Sequence, residues 1–257
     1  MAFQAVLHSP AVAKRIGLKD LGRALRLGWA DFKTAPTHYY FLALIYPVLM
    51  AVGVVAALDD SLVPLVFPIL SGAALLGPLT AIVLYEMSRQ REEGRSVAWW
   101  QALRLLVSRA APAIALLCAG LVGLFLLWLW VGLLLYRWLV GTVPDPAFFA
   151  FLGTLLSTGS GWSLILIGNA VGGAFALLVL ACFLVSFQSV VDRNCGALSA
   201  VATSLQVFVA NPLTAIAWGA VVVLLLAATG VTLFVGLAVV LPLLGHASWH
   251  LYRMTAG

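Results

Sequence analysis

Between residues 16 and 33 apolar side chains recur at steps of three and four. Leu18, Leu21, Leu25, Trp29 and Phe32 share one side, and Lys19, Asp20, Arg23, Arg26 and Lys33 occupy much of the other. This period predicts an amphipathic helix with a basic polar face, of the kind that lies in the headgroup plane of a bilayer. Long apolar runs follow. The first expected membrane span covers about 39–58, opening on Tyr39, Tyr40 and Phe41, where an aromatic belt belongs. The turn Asp59-Asp60-Ser61 leads to a second span over about 62–87. Each run is long enough to cross a hydrocarbon core of ~30 Å at about 1.5 Å per residue.

The same alternation continues down the chain. Ser88 to Arg95 is polar, with three arginines and two glutamates. Residues 97–109 are again amphipathic: Trp99, Trp100, Leu103, Leu106 and Val107 oppose Gln101, Arg104 and Ser108. A third span is expected over 112–136, a Pro- and Ser-rich loop with a short interfacial helix over 141–161, and a fourth span over 162–188. After Asp192-Arg193-Asn194, residues 197–209 form a third amphipathic segment through Leu198, Val201, Leu205 and Phe208. From Leu213 to Gly245 no residue is charged. Such a run is about 50 Å of helix, too long for one crossing. A hairpin of two short spans, divided near Thr229-Gly230, is the preferred reading; one tilted or broken helix is the alternative.

The expected fold is therefore all-α: a polytopic membrane helical bundle with six transmembrane helices and three interfacial amphipathic helices, in one integral-membrane domain over 1–257. A proline follows each amphipathic segment (Pro36, Pro112, Pro212), with a large apolar residue seven positions earlier (Trp29, Leu105, Leu205). Proline suits the first turn of a helix, where its missing N–H has no partner. The pattern suggests a threefold repeat of interfacial helix plus hairpin, with units 16–95, 96–195 and 196–257.

Composition sharpens this picture. Of 257 residues 63% are hydrophobic and 9% charged, against about 25% charged in a soluble domain. The net charge of +5 suits anionic headgroups better than nucleic acid, because the basic residues flank apolar spans. Of 14 Lys and Arg residues, only Arg137 falls on the far side of a six-span topology. The positive-inside bias then places both termini in the cytoplasm. No cleavable signal pattern precedes the first span, which is expected to serve as its own insertion signal. Cys118, Cys182 and Cys195 make no metal-ligand spacing and read as reduced structural thiols.

Candidate chemistry is sparse. The middles of the spans carry no Asp, Glu, Lys or Arg, which argues against a proton-coupled carrier or pump. His246 and His250 are four apart and share a helix face, so they are candidates for a metal or haem site; His38 is a conceivable third member. The same stretch also reads as a membrane exit, with Trp249 and Tyr252 as interface anchors alongside Trp29, Trp99 and Trp100. Glu86 and Arg89 are spaced for an ion pair. Gly168, Asn169 and Gly172 form a small-residue packing motif in the fourth span, with an amide available to bond across; Gly72 and Gly77 invite the same reading. No nucleophile elbow, phosphate loop or metalloprotease signature is present, so no enzyme is expected.

Three phrases carry a resemblance: IGLKDLGRALRLGWADFKTAP at 16–36, GAALLGPLTAIVLYEMSRQREEG at 72–94 and LPLLGHASWHLYR at 241–253. With their spacing, they resemble an uncharacterised bacterial integral-membrane family of unknown function, whose members are sometimes labelled putative cytochrome c oxidase subunits. The resemblance implies a cell inner membrane and brings no established activity. A haem-copper catalytic subunit needs many histidines within its spans, and this chain has four in all. The expected role is a non-enzymatic accessory, assembly or scaffold component of a larger membrane complex, with the lipid bilayer and a membrane-protein complex as partners and no cofactor. The alternatives are a transporter or channel for a neutral or lipid-like substrate, lined by Thr80, Ser163, Asn169 and Ser186, and a haem- or metal-binding redox protein using His246 and His250.

Overall fold

The computed structural model describes residues 13–34, 65, 67–69, 77–97, 103–141, 148–232 and 235–257. Among them every regular element is a helix. In chain order these are α1 (Leu18–Thr34), the single turn α2 (Gly77–Thr80), α3 (Ile82–Glu92), a 3-10 turn at Leu103–Val107, α4 (Ala111–Leu139), α5 (Phe148–Ser157), α6 (Gly159–Phe183), α7 (Ser186–Arg193), α8 (Ala197–Ala210), α9 (Pro212–Ala228), a 3-10 turn at Thr229–Thr232 and α10 (Leu237–Thr255). The expected first span, part of the second, His38, Gly72, Trp99 and Trp100 lie outside the described residues.

Among the described residues three stretches are long and apolar enough to cross a membrane: Ala111–Leu139, Gly159–Arg193 and Pro212–Val231. Most of their surface faces outward, as lipid requires. The second is interrupted after Phe183. There the Ser204 hydroxyl accepts the Val185 N–H at 3.4 Å and donates to the Ala181 carbonyl at 2.8 Å, so groups freed by the break find partners. The uncharged run from Leu213 is divided where the sequence places the turn, with α9 and α10 flanking Thr229–Thr232. The start of α9 and the end of α10 lie together, since Asn211, Thr214, Leu251 and Thr255 border one small crevice. The two helices therefore run antiparallel.

The chain forms two compact units, one from Met1–Ala43, Gly77–Gly120 and Val179–Gly257, the other from Leu44–Leu76 and Leu121–Leu178. These boundaries cut across the sequence repeat, because the first unit takes segments from all three expected copies. Within it, α1 packs antiparallel along α10: Lys14 N–H donates to the Thr255 carbonyl at 2.8 Å, and Gly28 meets Ala247. A Cβ on Gly28 would lie 2.6 Å from the Ala247 nitrogen, so only glycine allows this approach. The buried face of α1 is Leu21, Ala24, Gly28 and Asp31. This packed face is distinct from most of the apolar Leu18–Phe32 stripe that the sequence shows. Leu18 and Trp29 are 64% and 42% exposed.

In the second unit the indole of Trp128 is buried. It donates to the Pro68 carbonyl at 3.0 Å, lies 5.6 Å from Phe175 and packs on Gly172. Tyr136 meets Phe151 edge-on at 5.9 Å.

Candidate functional site

The first unit gathers buried polar groups around one carboxylate, that of Asp31. Asp31 sits on the buried face of α1, one turn beyond Gly28, so the close approach of α1 to α10 carries its side chain between α10 and α3. Three elements converge there. Ser88 of α3 donates its hydroxyl to Asp31 Oδ2 at 2.6 Å. Arg91, one turn on, donates to Oδ1 at 2.6 Å and to the Thr34 hydroxyl at 2.9 Å. His250 Nε2 of α10 lies 2.9 Å from Oδ2. Asp31, Ser88 and His246 are almost wholly buried, and His250 nearly so.

The network assigns the histidine tautomers. An ionised carboxylate only accepts, so His250 carries its proton on Nε2. The single Ser88 proton points to Asp31. Its oxygen therefore accepts from His246 Nδ1–H, 2.8 Å away. His246 is then left with an unprotonated Nε2, which is buried with no hydrogen-bond partner among the described residues. Burial by itself would raise the Asp31 carboxyl, but hydrogen bonds from His250 and Ser88 and the charges of the histidines together hold it below the ordinary carboxylate value. Arg91 is the counter-ion of the carboxylate, to which Ser88 and His250 also donate.

Two further ionic clusters flank this centre. Glu86 accepts from Arg89 Nε and Nη2 at 2.8 and 3.0 Å and from Gln90 Nε2 at 3.0 Å. The pair that the sequence spacing suggests is thus present, and Glu86 is buried rather than a solvated helix end. Asp192 of α7 accepts the Tyr252 hydroxyl at 2.7 Å, while Arg253 bonds Glu92 at 3.0 Å. Helix α3 ends in a closed cap: Gly94, with φ of +67°, donates to the Arg91 carbonyl, and Arg95 donates to that of Gln90. This cap holds Arg91 in place.

The other sequence candidates are placed as follows. Trp249 and Tyr252 are fully buried, their rings 5.5 Å apart; they are core residues of the first unit and not headgroup anchors. A buried Tyr or Trp at a helix end looks in sequence like an interface anchor, because both uses need an amphipathic ring. Trp29 is outward-facing and stacks on Phe32 at 5.2 Å. Of the small-residue motif, Gly172 meets Trp128, whereas among the described residues none comes near the Cβ position of Gly168. The Asn169 amide donates back to Ile165 at 2.7 Å and not across to another helix. Ser163 and Ser186 likewise bond carbonyls four residues earlier in their own segments. Cys195 is buried and its thiol is pushed up by that burial, as suits a structural residue.

The histidine pair does come together, but around a carboxylate. Ligation of one metal by both Nε2 atoms would require breaking the His250–Asp31 bond. Among the described residues no group of three or more His, Cys, Asp and Glu is placed to hold a metal ion. Asp31, Ser88 and Arg91 escaped the sequence reading. Their signal was a lone acidic residue continuing the spacing of Leu21, Ala24 and Gly28, and a serine and an arginine three apart in a helix with polar character.

No curated protein and no solved structure matches the chain. Residues 66–192 match a family model described as "Predicted integral membrane protein (DUF2189)". That stretch takes in α3, α4 and α6 and stops just before the end of α7, and with the apolar helices it identifies the chain as an integral membrane protein similar to that family.

Proposed function

We propose that the protein is a non-enzymatic accessory, assembly or scaffold component of a larger, respiratory-type complex in a bacterial inner membrane. In this reading it crosses the membrane six times with both termini in the cytoplasm, and three interfacial-helix-plus-hairpin repeats underlie the arrangement. The observation that carries it is the division of labour between helices. Across α4, α6 and α9 the only charged residue is Arg137, near the end of α4. These helices turn Trp130, Trp138 and Trp162 outward. Asp31, Glu86, Glu92 and Glu93 instead pair with Arg91, Arg89, Arg253 and Arg95. Apolar outer surfaces and an internally satisfied polar knot suit a part that packs among other membrane helices. Ser163, Asn169 and Ser186, expected to line a transport path, bond carbonyls four residues earlier in the chain.

Mass spectrometry of what accompanies the tagged protein from native membranes in mild detergent tests this. A stoichiometric membrane complex is expected. Recovery of the folded protein alone, at full yield, would overturn the reading and favour a carrier of neutral or lipid-like molecules. A second reading, haem or metal held by a single imidazole, draws on the bare buried Nε2 of His246. It requires a Soret band or bound metal in purified protein that disappears in His246→Ala.

A further inference from the structure

Helix α1 has three faces, and only one is used inside the protein. Leu21, Ala24, Gly28 and Asp31 are buried. A second face exposes Leu18 and Trp29, with Leu25 half-buried between them. The third carries Lys19, Arg23, Arg26 and Lys33, all exposed. The acids that could neutralise this row are engaged elsewhere: Asp31 by Arg91, Glu86 by Arg89, Glu92 by Arg253 and Glu93 by Arg95. Asp20 accepts the Gly17 N–H at 2.9 Å at the helix start. Among the described residues the four cations have no carboxylate within ion-pair distance.

The helix is also held next to a membrane element. Ile16 N–H donates to Asn211 Oδ1 at 2.8 Å, Asn211 Nδ2 donates to the Lys14 carbonyl at 2.9 Å, and the Thr214 hydroxyl donates to the Ile16 carbonyl at 3.2 Å. These bonds clamp the entry of α1 to the first turn of α9, which opens the apolar stretch Pro212–Val231.

We propose that the outward face of α1 binds the anionic phosphate headgroups of the surrounding bilayer, with Lys19, Arg23, Arg26 and Lys33 on the phosphates and Leu18 and Trp29 at the acyl boundary. An apolar edge running beside an unpaired cation row matches the layered chemistry of a lipid surface, apolar below and negative above. An acidic soluble partner would match the cations and leave the apolar edge wet. The inference needs only the membrane setting and is independent of any protein partner.

The test uses the full chain in nanodiscs of phosphatidylcholine, alone or mixed with phosphatidylglycerol. An environment-sensitive dye is placed at Leu18→Cys after replacing the three native cysteines by alanine. The expected result is a blue-shifted emission in the anionic discs that high salt reverses and that K19Q/R23Q/R26Q/K33Q abolishes. Native mass spectrometry with the cysteines intact gives a second readout. Enrichment of phosphatidylglycerol over phosphatidylcholine is expected to fall at least about fivefold in the charge variant, the factor that one basic side chain near a charged surface supplies. Arg137→Gln, remote in sequence from α1, is expected to leave that enrichment unchanged. Identical emission in both discs, or an unaffected charge variant, would overturn the proposal. So would a dye that is shifted only in native membranes, which would place an acidic protein on this face.

Discussion

The two compact units are held together by opposite means. The first is organised around buried charge, with one carboxylate drawing Ser88, Arg91 and His250 from two other helices. Among the described residues of the second, Arg137 is the only charged group. There the indole of Trp128 does the equivalent work through its ring contacts and one hydrogen bond to Pro68. The contrast shows how context sets the value of a polar group. A carboxylate sealed among donors is costly to disturb, because removing it strands several partners in a medium that cannot solvate them. An aromatic ring in an apolar unit can be trimmed at smaller cost, because only one neutral hydrogen bond, to Pro68, goes with it.

Substitutions at matched positions break or sharpen this comparison. Asp31→Ala is expected to have the largest effect, about 3–5 kcal/mol, the range for breaking a buried ion pair from one side. It should appear as a large fall in the thermal midpoint of the solubilised protein. Hydrogen exchange should rise along α1 while α4 near Trp128 stays protected; equal loss in both regions would mean that the two do not have separate supports. Gly28→Val comes next at about 1–3 kcal/mol, because the new side chain meets the Ala247 backbone and pushes α1 off α10. If its midpoint matches the wild type, α1 does not lie against α10 as described. Trp128→Phe removes the bond to Pro68 while keeping an aromatic ring, so about 0.5–1.5 kcal/mol is expected, with exchange rising around α4 and α6 and α1 unchanged.

Acid is the mildest probe. The folded Asp31 carboxyl lies below its unfolded value, so the unfolded chain binds the proton more readily. Its contribution is complete above the ordinary carboxylate value of about 4 and is lost as the pH falls through the lower folded value. The thermal midpoint should therefore be insensitive to Asp31 between neutrality and about pH 5. It should drop more steeply in wild type than in Asp31→Asn below about pH 4. Parallel curves would remove Asp31 from the acid response.

Much of the helical layout was legible from the hydrophobic runs. The long helix from Ala111, the segment after Gly196, the start at Pro212 and the turn at Thr229 all fall where polarity and proline place them. The Glu86–Arg89 pair was legible because it is local. The face of α1 was not. Hydrophobic periodicity weighs Leu, Trp and Phe, while the face that packs is built from Ala, Gly and Asp, whose value lies in being small or in having a distant partner. The histidine pair was visible as a pair, but its partner is 219 residues away from His250 in sequence. Local spacing suggested a metal because nothing local offered a carboxylate. Trp249 and Tyr252 misled for a related reason: ring chemistry alone does not say which solvent the ring meets.

The distance from Asp31 to His250 also sets an order of events during synthesis. Helix α1 emerges well before α10, which carries two of the side chains nearest its carboxylate, His246 and His250. Until then Asp31 has at most Ser88 and Arg91 to pair with, and the small-residue face of α1 has no α10 to lie against. A chain that stops short of α10 leaves that seam open, with a carboxylate and a glycine-lined groove exposed. The docking of α1 thus reports that α10 has been made, and a membrane protease that reads unpaired helices would distinguish chains with α10 from chains without it at this seam.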